Sequence, residues 1–148
     1  MDETYSVVAE EAPTPEDIHV VRRGLGRFNQ DAGGLENSEA LTLFIRDATG
    51  QNLGGLLGYT IGALLQIDFL WLDERIRGKG LGTRLLRVAE EEAVARGCKM
   101  AGLRTFDFQA PRFYEKNGYV TFGELREVVG EHTLHFFRKD LCREPARE

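Results

Sequence analysis

Cysteine is scarce in this chain: Cys98 and Cys142 are the two in 148 residues, and neither belongs to a Cys-x-x-Cys pair. That excludes a disulfide framework and a thiolate metal or redox motif, and both read as plain reduced thiols. Histidine is equally thin. His132 and His135 stand three apart on an expected strand and so point to opposite faces, while His19 lies elsewhere, and no metal site is expected. No apolar run approaches the ~20 residues of a membrane helix, so no membrane partner is expected. The opening Met1-Asp2-Glu3-Thr4 is acidic where a secretory signal is basic, which makes the chain, by expectation, cytoplasmic. An excess of positive charge is also missing. With a net charge of -5, a nucleic-acid backbone, bound through clustered Lys and Arg that displace counterions, is not the expected partner. A cationic substrate is better tolerated. No internal repeat or low-complexity tract divides the sequence.

What is present describes one ordinary globular domain, 42% hydrophobic and 29% charged. A domain of this size buries roughly 68 to 70% of the surface its unfolded chain exposes, enough for a core without staples. Residues 5–9 read as a short first strand and residues 10–15 as a polar link. Thr14 as N-cap, Pro15 in the first turn, and Ile18, Val21, Leu25 and Phe28 at helical spacing predict a helix whose apolar stripe faces a sheet. Residues 29–38 read as an exposed loop. Residues 41–46 and 53–63 form a hairpin around the turn chemistry of 47–52. Residues 64–72 read as the central strand, buried on both faces, with Phe69 and Trp71 on one side, expected in the core, and Leu70 and Leu72 on the other. Leu81, Leu85, Val88, Ala89, Glu92 and Ala93 line one face of a helix over 80–96, closed by Arg96 and Gly97. A strand over 99–105 follows, parallel to the central one through a right-handed crossover. A helix over 110–117, strands over 119–122 and 132–139, and a polar tail from residue 142 complete the order. It predicts a mixed sheet flanked by helices.

Between the central strand and the long helix lies Arg77-Gly78-Lys79-Gly80-Leu81-Gly82. Glycines there let the backbone adopt conformations other residues avoid and let a bulky diphosphate approach the amides. The helix N-terminus adds unpaired N–H groups and partial positive charge, so the segment reads as an anion nest. Two nucleotide loops fail on spacing. A Walker A loop places Lys directly after its last glycine, whereas Lys79 precedes Gly80. A dinucleotide fingerprint needs a third glycine, where this chain has Leu85, and belongs near a first strand.

Arg77-x-x-Gly80-x-Gly82 resembles the Arg/Gln-x-x-Gly-x-Gly/Ala signature of the GNAT superfamily of acetyl-CoA-dependent N-acetyltransferases, and Ala110-Pro111-Arg112-Phe113-Tyr114 with Gly118-Tyr119 resembles that family's second motif. The resemblance runs through nearly the whole chain in element order. It implies an α/β (α+β) fold over residues 1–148 as a single GNAT-like N-acetyltransferase domain. Its central mixed, mostly antiparallel sheet would be flanked by helices and splayed after Leu72 to admit the pantetheine arm. Acetyl-CoA is the implied co-substrate, cradled at its pyrophosphate by Arg77, Gly78, Lys79, Gly80, Leu81, Gly82 and Thr83 and held along pantetheine by backbone groups of Leu70 and Leu72. Tyr114 is the implied proton donor to the departing thiolate. Phe113 and Tyr114, about 100° apart on a helix, allow one ring in the core and one in the cleft. Asp107 stands where the family often has a cofactor-contacting Asn; an acceptor-only carboxylate suits that contact poorly, and helix capping is an equal alternative. The implied reaction is direct attack of a primary amine, of a small molecule or peptide, on the thioester in a ternary complex. Asp68 and Glu74 are the candidate general bases. The alternative is a non-catalytic acyl-CoA sensor or protein-interaction module of the same fold. A homodimer is common in the family, but no residue here specifies one.

Overall fold

The computed structural model describes residues 4–36 and 38–141, in two compact units that divide between residues 37 and 38. Cys142 and the expected polar tail lie outside the described residues.

In the first unit, helix α1 spans Pro15–Gly33, with Thr14 as N-cap, its hydroxyl accepting from the Asp17 N–H at 3.1 Å. The helix runs past residue 28 into the expected loop. Gln30, Asp31 and Ala32 need no packing to remain helical, and the stop comes at Gly34, whose φ of 65° lets its N–H return to the Gln30 carbonyl. Residues 5–9 form no strand. β-propensity produces a strand only where a ladder neighbour accepts it, and this short segment has the propensity alone.

The second unit holds a six-stranded sheet in the order β1-β2-β3-β4-β6-β5. The strands are β1 (Glu39–Arg46), β2 (Asn52–Ile61), β3 (Leu64–Leu72), β4 (Met100–Phe106), β5 (Val120–Val129) and β6 (His132–Asp140). Only β3 and β4 run parallel, joined by helix α2 (Leu81–Ala95); a shorter helix, α3 (Pro111–Lys116), joins β4 to β5. Strand β5 reaches Val129, well past the expected 119–122. Its later residues are mostly exposed whether polar or apolar, and the pairing slips between Leu125 and Val129, so alternation along the sequence is lost. The buried residues of α2 are Gly82, Leu85, Leu86, Ala89 and Ala93, a stripe rotated slightly from the expected one. They pack with Leu41, Leu56, Leu65, Ile67, Leu103, Tyr119 and Phe137 on one side of the sheet. Arg96, at the end of α2, reaches across to the carbonyls of Glu39 and Ala40 and the hydroxyl of Thr60, tying the helix to β1 and β2.

One irregularity in β3 sets up the site. Leu57 of β2 pairs with Phe69 while the adjacent Gly58 pairs with Ile67, so Asp68 is an extra, bulged residue. A single inserted residue exchanges the faces of everything after it. Leu65 and Ile67 face the core before the bulge, and Leu70 and Leu72 do so after it. Phe69 and Trp71 are thereby turned outward, 68% and 56% exposed, which corrects their expected place in the core and the expectation of a strand buried on both faces. The splay also begins earlier than expected. The last β3–β4 pair is Ile67 with Leu103, although β3 continues to Leu72 and β4 to Phe106. A bulge bends its strand, and this one follows directly on the last pair.

Candidate active site

The chain leaves β3 through a tight, polar connection. Asp73 caps a short 3-10 turn, Glu74–Ile76, accepting from the Arg75 N–H at 2.9 Å and from Arg75 Nε at 2.8 Å. The Arg75 guanidinium and backbone N–H hold the Asp73 carboxyl down at about 2. Arg77 Nε then donates to the Leu72 carbonyl at 3.0 Å, folding the loop back on the end of β3. Sequence reading did not single out Asp73, yet an Asp ahead of a turn with Arg two residues on is a capping signal.

Gly78 and Gly80 have φ of 74° and 77°, and a Cβ built on either would meet nothing within 4 Å. Left-handed backbone, not crowding, therefore requires glycine there, and the space beside both stays open. Gly80 is also the N-cap of α2 and supplies no side-chain hydrogen bond, so the first N–H groups of the helix are left to another acceptor. Gly82 is different. A Cβ on it would lie 3.0 Å from Phe113 Cζ, so this glycine lets α3 approach α2. That contact brings the two sequence motifs together. Lys79 is exposed, Leu81 borders an apolar recess with Leu43, Ile45 and Val88, and Thr83 borders a polar one with Arg87, Lys116 and Asn117.

The gap between β3 and β4 leads to this loop. The Asp73 N–H bonds to the Leu53 carbonyl at 2.7 Å, so by the antiparallel alternation Trp71 also turns its backbone groups toward β2. Leu70 and Leu72 turn theirs the other way, into the gap beyond the last β3–β4 pair. The Leu72 carbonyl receives Arg77 there. At the head of the gap, Asp68 borders a trough of about 400 Å³ on the face of the sheet opposite α2, together with Tyr59, Gln66, Gly102, Arg104, Phe122 and Arg138. Glu74 sits in the exposed 3-10 turn and does not line that trough, so the structure separates the two candidate bases.

Tyr114 is the buried member of the aromatic pair, 8% exposed, with its ring 5.1 Å from Phe113, 5.9 Å from Tyr119 and 6.3 Å from Phe137. Burial pushes its phenol up to about 12. Among the described residues no buried side-chain polar atom lacks a hydrogen bond, and Tyr114 Oη makes none to protein. Its oxygen therefore lies at the accessible edge of an otherwise enclosed side chain. Phe113 is partly buried against the core, so both rings pack and neither hangs free in a cleft.

Asp107 does not cap α3. One carboxylate oxygen meets His132 Nδ1 at 2.8 Å and the other accepts from the Thr133 N–H at 3.1 Å, joining the end of β4 to the start of β6. The Thr133 N–H and the His132 ring hold its carboxyl below the usual range. A second group that sequence reading missed is Glu90 on α2, which accepts from Lys139 Nζ at 2.6 Å and from the Tyr119 hydroxyl at 2.9 Å. The sequence hides it as the first of three consecutive glutamates, Glu90-Glu91-Glu92, beside the buried stripe of α2. Cys98 is buried, and its thiol is pushed up by desolvation.

Comparison with known proteins agrees with this geometry. Residues 2–119 match the model of the Acetyltransferase (GNAT) family. The chain is 32% identical over 119 residues to Acetyltransferase Atu2258 of Agrobacterium fabrum, covering 80% of this chain and 87% of that protein. It is 39% identical over 93 residues to the Blasticidin-S acetyltransferase of Streptomyces morookaense, covering 62% and 68%. The crystal structure of an acetyltransferase from Bacillus cereus superposes with a TM-score of 0.77 at 32% identity, over 90% of this chain and 97% of that one.

Proposed function

From the premise that this chain belongs to the GNAT acetyltransferase family, we propose that it is an N-acetyltransferase acting on a primary amine by direct attack in a ternary complex. The chain is an acyltransferase, with acetyl-CoA as its co-substrate. Residues 1–148 serve this reading as one catalytic domain. The observation that carries it is a coincidence of two features. The open gap between β3 and β4, lined by backbone groups of Leu70 and Leu72, ends at an α2 N-terminus that Gly80 leaves without a side-chain cap.

The residues fit the donor. Backbone amides of Gly78 to Thr83, with Arg77 and Lys79 nearby, would hold the pyrophosphate, and the polar groups of Leu70 and Leu72 would pair with the pantetheine amides as an added strand does. Asp107 is already committed to His132 and Thr133, so any contact with the cofactor would have to be shared with them. Acetyl-CoA supplies the acetyl group on a thioester. In the transfer a nitrogen–carbon bond forms, the carbon–sulfur bond breaks with its electrons going to sulfur, and the amine loses a proton.

Asp68 is the base that this geometry favours over Glu74, because it borders both the gap and the trough. The work it assists is substantial: deprotonating a lysine-like amine at pH 7 costs roughly 4 to 5 kcal/mol. Tyr114 faces the opposite problem. With its phenol at about 12, full proton transfer to a thiolate of ordinary pKa near 8.5 is uphill by about 5 kcal/mol. Its role is therefore to donate a hydrogen bond to the departing sulfur, the thiolate taking its proton from solvent.

Calorimetric titration with acetyl-CoA tests the reading. The native protein binds, and Gly80→Glu, which sets a carboxylate in the open nest, loses binding while remaining folded. Equal affinity in a folded Gly80→Glu protein would contradict the loop assignment.

A further inference from the structure

The trough beside Asp68 carries more information than the position of a base. Neighbouring strands build it. Tyr59, Gln66, Gly102 and Arg138 are successive partners across β2, β3, β4 and β6, and beyond them stand the bulged Asp68 and the paired Arg104 and Phe136. Gly102 is the floor. A Cβ there would meet Gln66 Oε1 at 3.6 Å and Leu64 Cδ1 at 3.7 Å, ordinary contacts, so the absence of a side chain is not forced by packing. What the absence provides is depth. At about 400 Å³ the trough is in the size range of small-molecule sites.

Its charges are unusual for this chain. Asp68 and Arg104 directly follow Ile67 and Leu103, the last paired residues of β3 and β4, and stand on either side of the opening gap. Among the described residues neither has an ion-pair partner, although the two border the same trough. Arg138 lines the trough too, with one guanidinium nitrogen held by Asp140 at 2.8 Å. With Arg138 held by Asp140, Arg104 and Asp68 are the trough's one cation and one anion without an ion-pair partner among the described residues. Leu64, Met100, Phe122 and Phe136 supply apolar walls around them.

We propose that this trough is the acceptor site and that it selects a primary amine that also carries a carboxylate, an amino acid with an apolar side chain. The inference rests on the acetyl-transfer reading and specifies its substrate class. Arg104 pairs with the carboxylate, Asp68 receives the amine at the head of the gap, and the apolar walls take the side chain. The planar guanidinium fork suits a carboxylate in a way that an ammonium would not. The same residue works as a filter: an amine without a carboxylate, a polyamine above all, brings a second positive charge against Arg104 with nothing to offset it.

The test uses matched acceptors. Thiol release is measured with the native protein, Arg104→Gln, Arg104→Lys and Gly102→Leu, on L-phenylalanine against phenethylamine and L-leucine against isoamylamine, and acetyl-CoA binding is measured on each protein. The native protein prefers the amino acid over its decarboxylated partner. Arg104→Gln raises KM for the amino acid by about tenfold to a hundredfold, the scale of one lost charged hydrogen bond, and lowers KM for the plain amine, which no longer meets the guanidinium charge. Arg104→Lys recovers part of the loss, and Gly102→Leu removes acceptor use while keeping acetyl-CoA binding. Turnover of the plain amines as good as that of the amino acids, or no use of either amino acid by a protein that binds acetyl-CoA, overturns this inference alone. Absence of acetyl-CoA binding in the native protein overturns the acetyl-transfer reading beneath it.

Discussion

Tyr114 carries two separable consequences of burial. As hydrogen-bond donor to a departing sulfur it stabilises charge that exists only late in the reaction, so Tyr114→Phe lowers kcat by about tenfold to a hundredfold and leaves acetyl-CoA affinity nearly unchanged, as stopped-flow and calorimetry would read. As an enclosed phenol at about 12 it is also linked to stability. The folded state holds that proton more tightly than the unfolded chain, whose phenol titrates near 10. The contribution is therefore complete below pH 10 and is lost as pH rises from 10 toward 12. Denaturant midpoints across that interval fall less steeply in Tyr114→Phe than in the native protein, although Tyr119, raised by burial and by Glu90, titrates in the same direction. Gly80 makes a different point at the same scale. Gly80→Ala meets no neighbouring atom but must hold φ at 77°, so it costs about 1 to 2 kcal/mol of stability, through strain and not collision.

At the scale of elements, β3 shows how one residue distributes function. The bulge at Asp68 turns Phe69 and Trp71 outward, keeps Leu70 and Leu72 on the core side, and bends the strand where its pairing with β4 stops. The limits of β3, 64–72, could be read from sequence because an apolar run bounded by turn residues is visible without knowing the neighbours. Its bulge could not, since a bulge is defined by the register of the partner strand, and that missing register placed Phe69 and Trp71 in the core and the splay too late. The glycine loop was legible because spacing states a backbone requirement. The packing constraint on Gly82 was not legible, because it comes from Phe113, distant in sequence. The trough was invisible because Asp68, Arg104 and Arg138 are brought together by strand order alone. The join of α2 to β6 is likewise a long-range matter. Glu90→Ala leaves the largely enclosed Lys139 ammonium and the Tyr119 hydroxyl without their acceptor, and chemical denaturation should register a loss of about 3 kcal/mol.

For the molecule as a whole, the family, the fold and the donor follow from features spread over most of the chain. The match covers residues 2–119, and the architecture is shared with solved acetyltransferases. No helix among the described residues is long and apolar enough to cross a membrane. The central claim is that the gap, the glycine loop and the trough work together as a catalyst, where the same fold could also serve as a sensor that binds acyl-CoA without turnover. Incubation of the native protein with acetyl-CoA labelled in its acetyl group and a panel of amines and amino acids, followed by mass spectrometry of the products, separates the two. A catalyst yields labelled N-acetyl product in equal amount to the free thiol released. Tight binding of acetyl-CoA with no labelled amide from any acceptor would contradict that claim.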